Sequence, residues 1–224
     1  MISIHGLQFS YPKSEFQLLV EALEIGQGEK VAVVGPSGSG KTTFLNLLSG
    51  IHAPEQGKLI VAGKELSTLN DGQRRDFRIN QIGMVFQQFE LVQYLAAFEN
   101  ILLPYFVNRT LELTANAKQK AEDLAKQMGL GDKLKRFPSQ LSQGEQQRVA
   151  ICRALITDPK MILADEPTGN LDPKNKSKIL DILFRESETN DQTLVVVTHD
   201  MNILEGFDRT IDFETFRSEV GGGQ

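Results

Sequence analysis

Apolar positions keep a strand-like rhythm at both ends of the chain and a helical one in the middle. Residues 2–9 and 16–25 are β-rich, and Gly26-Gln27-Gly28-Glu29 reads as the turn after them. Val31-Ala32-Val33-Val34 is continuously apolar, the pattern of a strand covered on both faces. Residues 43–49 read as a helix, with Phe44, Leu47 and Leu48 on one side and Gly50 as the stop. Residues 58–62 and 82–86 are further strand candidates.

Between 88 and 158 helical spacing dominates. Ala117, Ala121, Leu124 and Met128 recur every three or four residues, with charged residues elsewhere on the turn. Thr114 suits the N-cap and Gly129 the stop. A second helix is expected over 143–156, broken by Asp158-Pro159. The strand pattern then returns at Met161-Ile162-Leu163-Ala164. Asp172-Pro173 opens a helix with Ile179, Ile182 and Leu183 on its apolar face. Leu194-Val195-Val196-Val197 is another buried strand, ending at Thr198-His199-Asp200. Strands alternating with helices imply an α/β fold with a mostly parallel sheet. The expected organisation is one domain over 1–224: an α/β core from 1–87 and 159–216, a helical insertion at 88–158, and a flexible tail at 217–224.

Composition narrows the function. The 224 residues carry 24 Lys and Arg against 29 Asp and Glu, a net charge of -5, which argues against a nucleic-acid partner. The single cysteine, Cys152, excludes an internal disulfide; with no visible signal peptide this favours a reducing compartment. Cys152 itself reads as a small apolar filler. No apolar run reaches bilayer-spanning length, so any membrane role requires a partner.

The chemistry lies in three segments. Gly35-Pro36-Ser37-Gly38-Ser39-Gly40-Lys41-Thr42 fits G-x-x-x-x-G-K-T and stands between a buried strand and a helix, the context of a phosphate-binding loop. Its backbone N–H groups and helix N-terminus suit phosphate oxygens; Lys41 suits the β- and γ-phosphates and Thr42 a Mg²⁺ ion. Asp165 closes an apolar strand, and α/β sheets bind ligands at that end. Its carboxylate suits Mg²⁺, and Glu166 suits an attacking water; the bland alternative is two solvated acids at a strand exit. Ser142-Gln143-Gly144-Glu145 has the S-x-x-E form of a capping box, and a glycine at a helix N-terminus also forms an anion site. Both readings hold together if the cap faces a phosphate of another subunit.

In this order the motifs resemble the nucleotide-binding domain of ATP-binding cassette (ABC) ATPases over nearly the whole chain. The resemblance implies a P-loop NTPase (RecA-like) core with an N-terminal antiparallel β subdomain and an inserted helical subdomain. It implies that Leu141 to Glu145 is the signature, Gln87 a Mg²⁺ and water contact, Glu166 the catalytic glutamate and His199 the switch histidine. Tyr11 would stack on adenine beside the loop 35–42 and Thr43. Ser142, Gln143, Gly144, Glu145 and Asp172 would reach the ATP of a partner subunit. The signature carries Gln143 where many members have glycine, which leaves its backbone donors intact. His5 and His52 match no motif and read as structural.

ATP and Mg²⁺ are thus the implied ligands, and a second copy in a head-to-tail dimer is the implied partner. Gly83 to Leu91 and Ala97 to Ile101 are similar to the LolD/MacB-type lipoprotein-release and macrolide-export ATPases. Those act with integral membrane permease subunits, so the implied location is the cytoplasmic face of the membrane. A chromosome-organising ABC ATPase would need a long coiled coil, and no sustained heptad run exists. A P-loop kinase would leave the signature and His199 unexplained.

Overall fold

The computed structural model describes residues 1–169 and 171–216. The expected tail at 217–224 lies outside the described residues. Two sheets organise the chain. An antiparallel sheet has the order β2-β1-β4-β5, from β1 (Ile2–Ser10), β2 (Gln17–Ile25), β4 (Gln56–Val61) and the short β5 (Lys64–Glu65). A parallel sheet has the order β6-β7-β8-β3-β9, from β3 (Lys30–Val34), β6 (Ile82–Val85), β7 (Met161–Asp165), β8 (Thr193–Thr198) and β9 (Arg209–Asp212).

The continuous apolar runs behave as strands buried on both faces, and β7 and β8 alternate between two cores. Val31, Val33, Met161, Leu163, Val195 and Val197 enter the core shared with the antiparallel sheet and with α1 (Lys41–Leu48). Ile162, Ala164, Leu194 and Val196 point the other way. There they meet α3 (Ala97–Val107), α4 (Ala115–Gln127), α5 (Gln143–Leu155) and α6 (Pro173–Thr189).

The strand register places the chemistry. β7 pairs in parallel with β8 so that Asp165 lies opposite Val197, and β3 pairs with β8 so that Val34 lies opposite Thr198. The loops that leave β3, β7 and β8 therefore emerge side by side at one edge. β6 ends there too, with Val85 opposite Ala164. A right-handed parallel sheet gathers ligand-binding loops at this carboxyl edge.

Several expected elements form where the sequence places them. Thr114 caps α4, its Oγ1 accepting from the Ala117 N–H, and Gly129 follows with φ 67°. Asp172 caps α6, accepting from the Asn175 N–H. Helix α2 (Asp71–Gln81) escapes the apolar-period reading because it buries no residue; a reciprocal capping box of Asn70 and Gln73 starts it instead. β9 escapes for a similar reason: it is a short edge strand with no buried residue. Among the described residues no helix is long and apolar enough to cross a membrane.

Candidate functional site

The first helix starts without a cap. Its N-cap residue is Gly40, at φ 107°, with no side-chain hydrogen bond and no acidic residue in the first turn. The leading N–H groups of a helix need an acceptor, and here the N-cap residue offers no side chain for this. A side chain at position 40 is also barred by space, since a Cβ there would stand 2.5 Å from the Phe16 ring. Ser39 Oγ, in the same loop, is buried without a hydrogen-bond partner. The Lys41 ammonium turns back over the loop and donates to the carbonyls of Gly35 and Pro36, both at 2.8 Å. Burial lowers its pKa, against the opposing pull of the Glu166 and Asp165 carboxylates. An uncapped helix start, an orphan hydroxyl and a desolvated ammonium together fit a polyphosphate.

Asp165 ends β7 beside the loop. Burial pushes its pKa up and Glu166 adds to this, while the Thr42 hydroxyl, which donates to it, and Lys41 oppose. A carboxylate so desolvated gains from a nearby cation. Thr42 and Asp165 offer hard oxygen donors, and no group of three or more His, Cys, Asp or Glu side chains suited to a metal exists among the described residues. That pattern fits Mg²⁺, which takes one or two protein oxygens and completes its shell with phosphate and water.

Glu166 is held in a strained conformation. Its φ is 45°, a region costly for a residue with a side chain. Its N–H donates to Val197 O at 3.0 Å. One carboxylate oxygen lies 2.6 Å from His199 Nδ1 and the other accepts from Thr198 Oγ1 at 3.2 Å. An ionised carboxylate can only accept, so this contact puts the hydrogen on Nδ1. Gln87 follows β6, exposed, with its side chain lying over Gly169; a Cβ on Gly169 would be 2.9 Å from Gln87 Nε2.

Tyr11 is fixed from several sides. Its hydroxyl is within hydrogen-bond distance of Thr43 Oγ1 at 3.1 Å and His52 Nε2 at 3.3 Å. Its ring meets Phe9 edge-on at 4.9 Å and Phe16 at 5.9 Å. His52, read from sequence as structural, thus supports a site residue. It also stacks on Phe9.

These groups share one cleft of about 470 Å³. Tyr11, Ser37, Gly38, Gly40, Lys41, Thr42 and Thr43 line it with Gln87, Asp165, Glu166 and His199. Phe16 lines it as well and was not legible, because a lone aromatic before a strand carries no motif. Gly35, Pro36 and Ser39 shape the loop from behind.

Ser142, Gln143, Gly144, Glu145 and Asp172 do not line this cleft. They begin two other helices. Ser142 caps α5, with the Ser142 N–H donating to Glu145 Oε2 at 2.8 Å and the Glu145 N–H to Ser142 Oγ at 3.4 Å. Glu145 also pairs with Lys133. That ammonium, with the Ser142 N–H, holds the Glu145 pKa down at about 2. Gly144 faces the first turn of α6, where a Cβ on it would stand 3.4 Å from Asn175 Cγ.

A family model described as "ABC transporter" matches residues 21–169. The chain is 41% identical over 217 residues to the "Lipoprotein-releasing system ATP-binding protein LolD" of Pseudomonas fluorescens, covering 96% of this chain and 95% of that protein. It is 38% identical over 214 residues to the "Uncharacterized ABC transporter ATP-binding protein YbbA" of Escherichia coli K12, covering 94% and 93%. Among solved structures, an ATP-binding cassette in a dimeric post-hydrolysis state, bound to ADP and Pi, superposes with a TM-score of 0.83. It is 34% identical and covers 95% of each chain. With the loop, the carboxylates and the capped glycine helix all on this scaffold, the chain belongs to the ABC transporter family, as one of its ATP-binding cassettes.

Proposed function

We propose that the protein is the ATP-hydrolysing subunit of a membrane ABC system, working as a head-to-tail dimer. One observation carries this reading: the cleft holds the loop, the acids and His199, but not the α5 N-terminus. In the proposed dimer, Ser142 to Glu145 and Asp172 of one copy face the nucleotide in the cleft of the other. The cassette described above supports the pairing, since it too is dimeric.

The residues divide the work. Tyr11 and Phe16 supply aromatic walls for the adenine. The α1 N-terminus and Lys41 bind phosphate oxygens, which requires Lys41 to leave the carbonyls of Gly35 and Pro36. Thr42, Asp165 and Gln87 would hold Mg²⁺, which when bound offsets phosphate charge. Glu166 accepts a proton from the attacking water, and His199, bonded to Glu166, orients that carboxylate toward the γ-phosphate. ATP closes the pair; loss of the γ-phosphate releases it.

Force then needs an outlet. An apolar groove of about 510 Å³ is lined by Ile51, Ile79, Met84, Phe86, Leu103 and Val107, with Arg75, Arg78 and Arg153 among the residues around it; Phe86 directly precedes Gln87. Val107 is 66% exposed and Phe106, its neighbour, 53%. Such a patch suits a protein partner, and we assign it to the integral membrane permease subunit at the cytoplasmic face. The segment 88–158, hinged at Gln87, passes the motion on. The deciding experiment mixes a Lys41→Ala chain with a Ser142→Ala chain. Each alone is inactive; the mixed dimer retains one intact composite site and recovers part of the activity. Mixtures no more active than their components would refute the shared site.

A further inference from the structure

In the shared-site reading each copy serves two nucleotides. Glu166 and His199 act on its own; Ser142 to Glu145 and Asp172 act on its partner's. The start of α6 touches the second group directly and is tied to the first through Asp200. Asp172 Oδ1 accepts from the Asn175 N–H at 3.2 Å and Asp172 Oδ2 from Asn175 Nδ2 at 2.6 Å, and Asn175 faces the signature glycine Gly144. The next residue, Lys176, donates from Nζ to Asp200 Oδ2 at 2.7 Å.

Asp200 follows His199 directly and is fixed at further points. Its Oδ1 accepts from the Asn202 N–H at 3.1 Å. Its own N–H donates to Thr198 Oγ1 at 3.0 Å, and that hydroxyl donates to Glu166 Oε2 at 3.2 Å. A continuous chain of contacts therefore runs from Gly144 and Asp172 through Lys176 and Asp200 to Glu166 and His199. The ion pair is partly sheltered, with side chains 29% and 18% exposed. Helix α6 does not need it as an anchor, because buried Ile179 and Leu183 already hold the helix to the core. Lys176 holds the Asp200 carboxyl well below the usual range, at about 2.

We propose that the Lys176–Asp200 ion pair couples the two ATP sites of the dimer: a nucleotide bound by Asp172 and the signature moves α6, and the pair passes that shift to Thr198, Glu166 and His199. Lys176 and Asp200 are positioning residues, since neither lines the cleft. This rests on the shared-site reading. A contact chain is not by itself evidence of coupling; a mutant cycle with a two-site readout supplies it.

The test is ATP hydrolysis by the full chain as a function of ATP concentration. The native protein should give a Hill coefficient above about 1 and up to about 2, the limit for two sites. Lys176→Ala should bring it toward 1 and lower kcat about five- to tenfold, in the range for residues along a coupling network. Half-saturation should shift less than about twofold, because the cleft is untouched. Asp200→Asn should do the same, the double variant should be no worse than either single one, and Lys176→Arg should keep cooperativity. A packing role alone would lower Tm and leave the Hill coefficient unmoved. Native cooperativity in Lys176→Ala, additive losses in the double variant, or a native Hill coefficient of 1 would each overturn the proposal. Light scattering on Glu166→Gln with ATP separates the two readings. No dimer there sinks the shared site itself; a dimer together with a silent Lys176→Ala sinks only the coupling.

Discussion

Two helix N-termini in this molecule carry anion-binding motifs, and they are built in opposite ways. At α1 the chain leaves the helix start without a side-chain cap, with Gly40 at φ 107° and a lysine folded over the loop. At α5 the chain closes the start itself, with Ser142 and Glu145 satisfying each other's N–H groups and Lys133 neutralising Glu145. At the open start no side chain stands in the way of an incoming phosphate; only the Lys41 ammonium must leave the Gly35 and Pro36 carbonyls. A capped start competes with its own side chains, and the Ser142 hydroxyl is held only by a long 3.4 Å bond. In the proposed dimer, this difference would let one nucleotide be bound in sequence, first by α1 and then, across the pair, by α5.

The most damaging way to probe this contrast is to remove the proposed base. Glu166→Gln should lower turnover by about 10²- to 10⁴-fold while ATP binding persists, since general-base catalysis contributes that much; near-normal phosphate release would take Glu166 out of the mechanism. Next comes Lys41→Ala. Losing a charged donor costs about 1.5–3 kcal/mol, or roughly ten- to 150-fold in affinity, readable by calorimetry. An unchanged Kd would mean that α1 binds without it.

A smaller effect separates the two helix starts. Gly40→Ala should impair binding through its positive φ and its 2.5 Å approach to Phe16. Adding Phe16→Ala should restore only part, because the backbone strain stays. Ser142→Ala should cost about 1 kcal/mol of stability as a lost cap and leave the affinity of a single chain for ATP intact; weaker binding at dilutions where only monomers exist would erase the distinction.

The smallest effect concerns pH. Glu145 titrates near 2 in the folded chain against an ordinary 4.5, so unfolding takes up a proton between those values. Its contribution to stability is full above about 4.5 and is lost as pH falls toward 2. Glu145→Gln should flatten that part of a Tm-against-pH curve. Asp200, also near 2, has the same sign and preserves some slope. A curve identical to the native one would show that Lys133 does not hold Glu145 as described.

Much of this was legible along the chain because the signals are local. A capping residue acts within one turn, so Thr114, Ser142 and Asp172 announce their helices. The strands at Lys30–Val34, Met161–Asp165 and Thr193–Thr198 announce themselves by uninterrupted apolar runs. Helix α2 gives no apolar period to read, since it buries nothing. Phe16 and His52 belong to the site only through partners brought from elsewhere: Gly40 for one, Tyr11 for the other.

The order of motifs, the phosphate loop with its strand and helix, and the family were settled by the sequence itself, because backbone conformation and capping depend on near neighbours. The convergence of β3, β6, β7 and β8 at one edge, the grip of His199 on Glu166, and the exclusion of Ser142 from the cleft were decided only in three dimensions. Each of these depends on strand order and register between segments far apart in the chain; an apolar run says that a strand is covered on both faces, not which strand lies beside it.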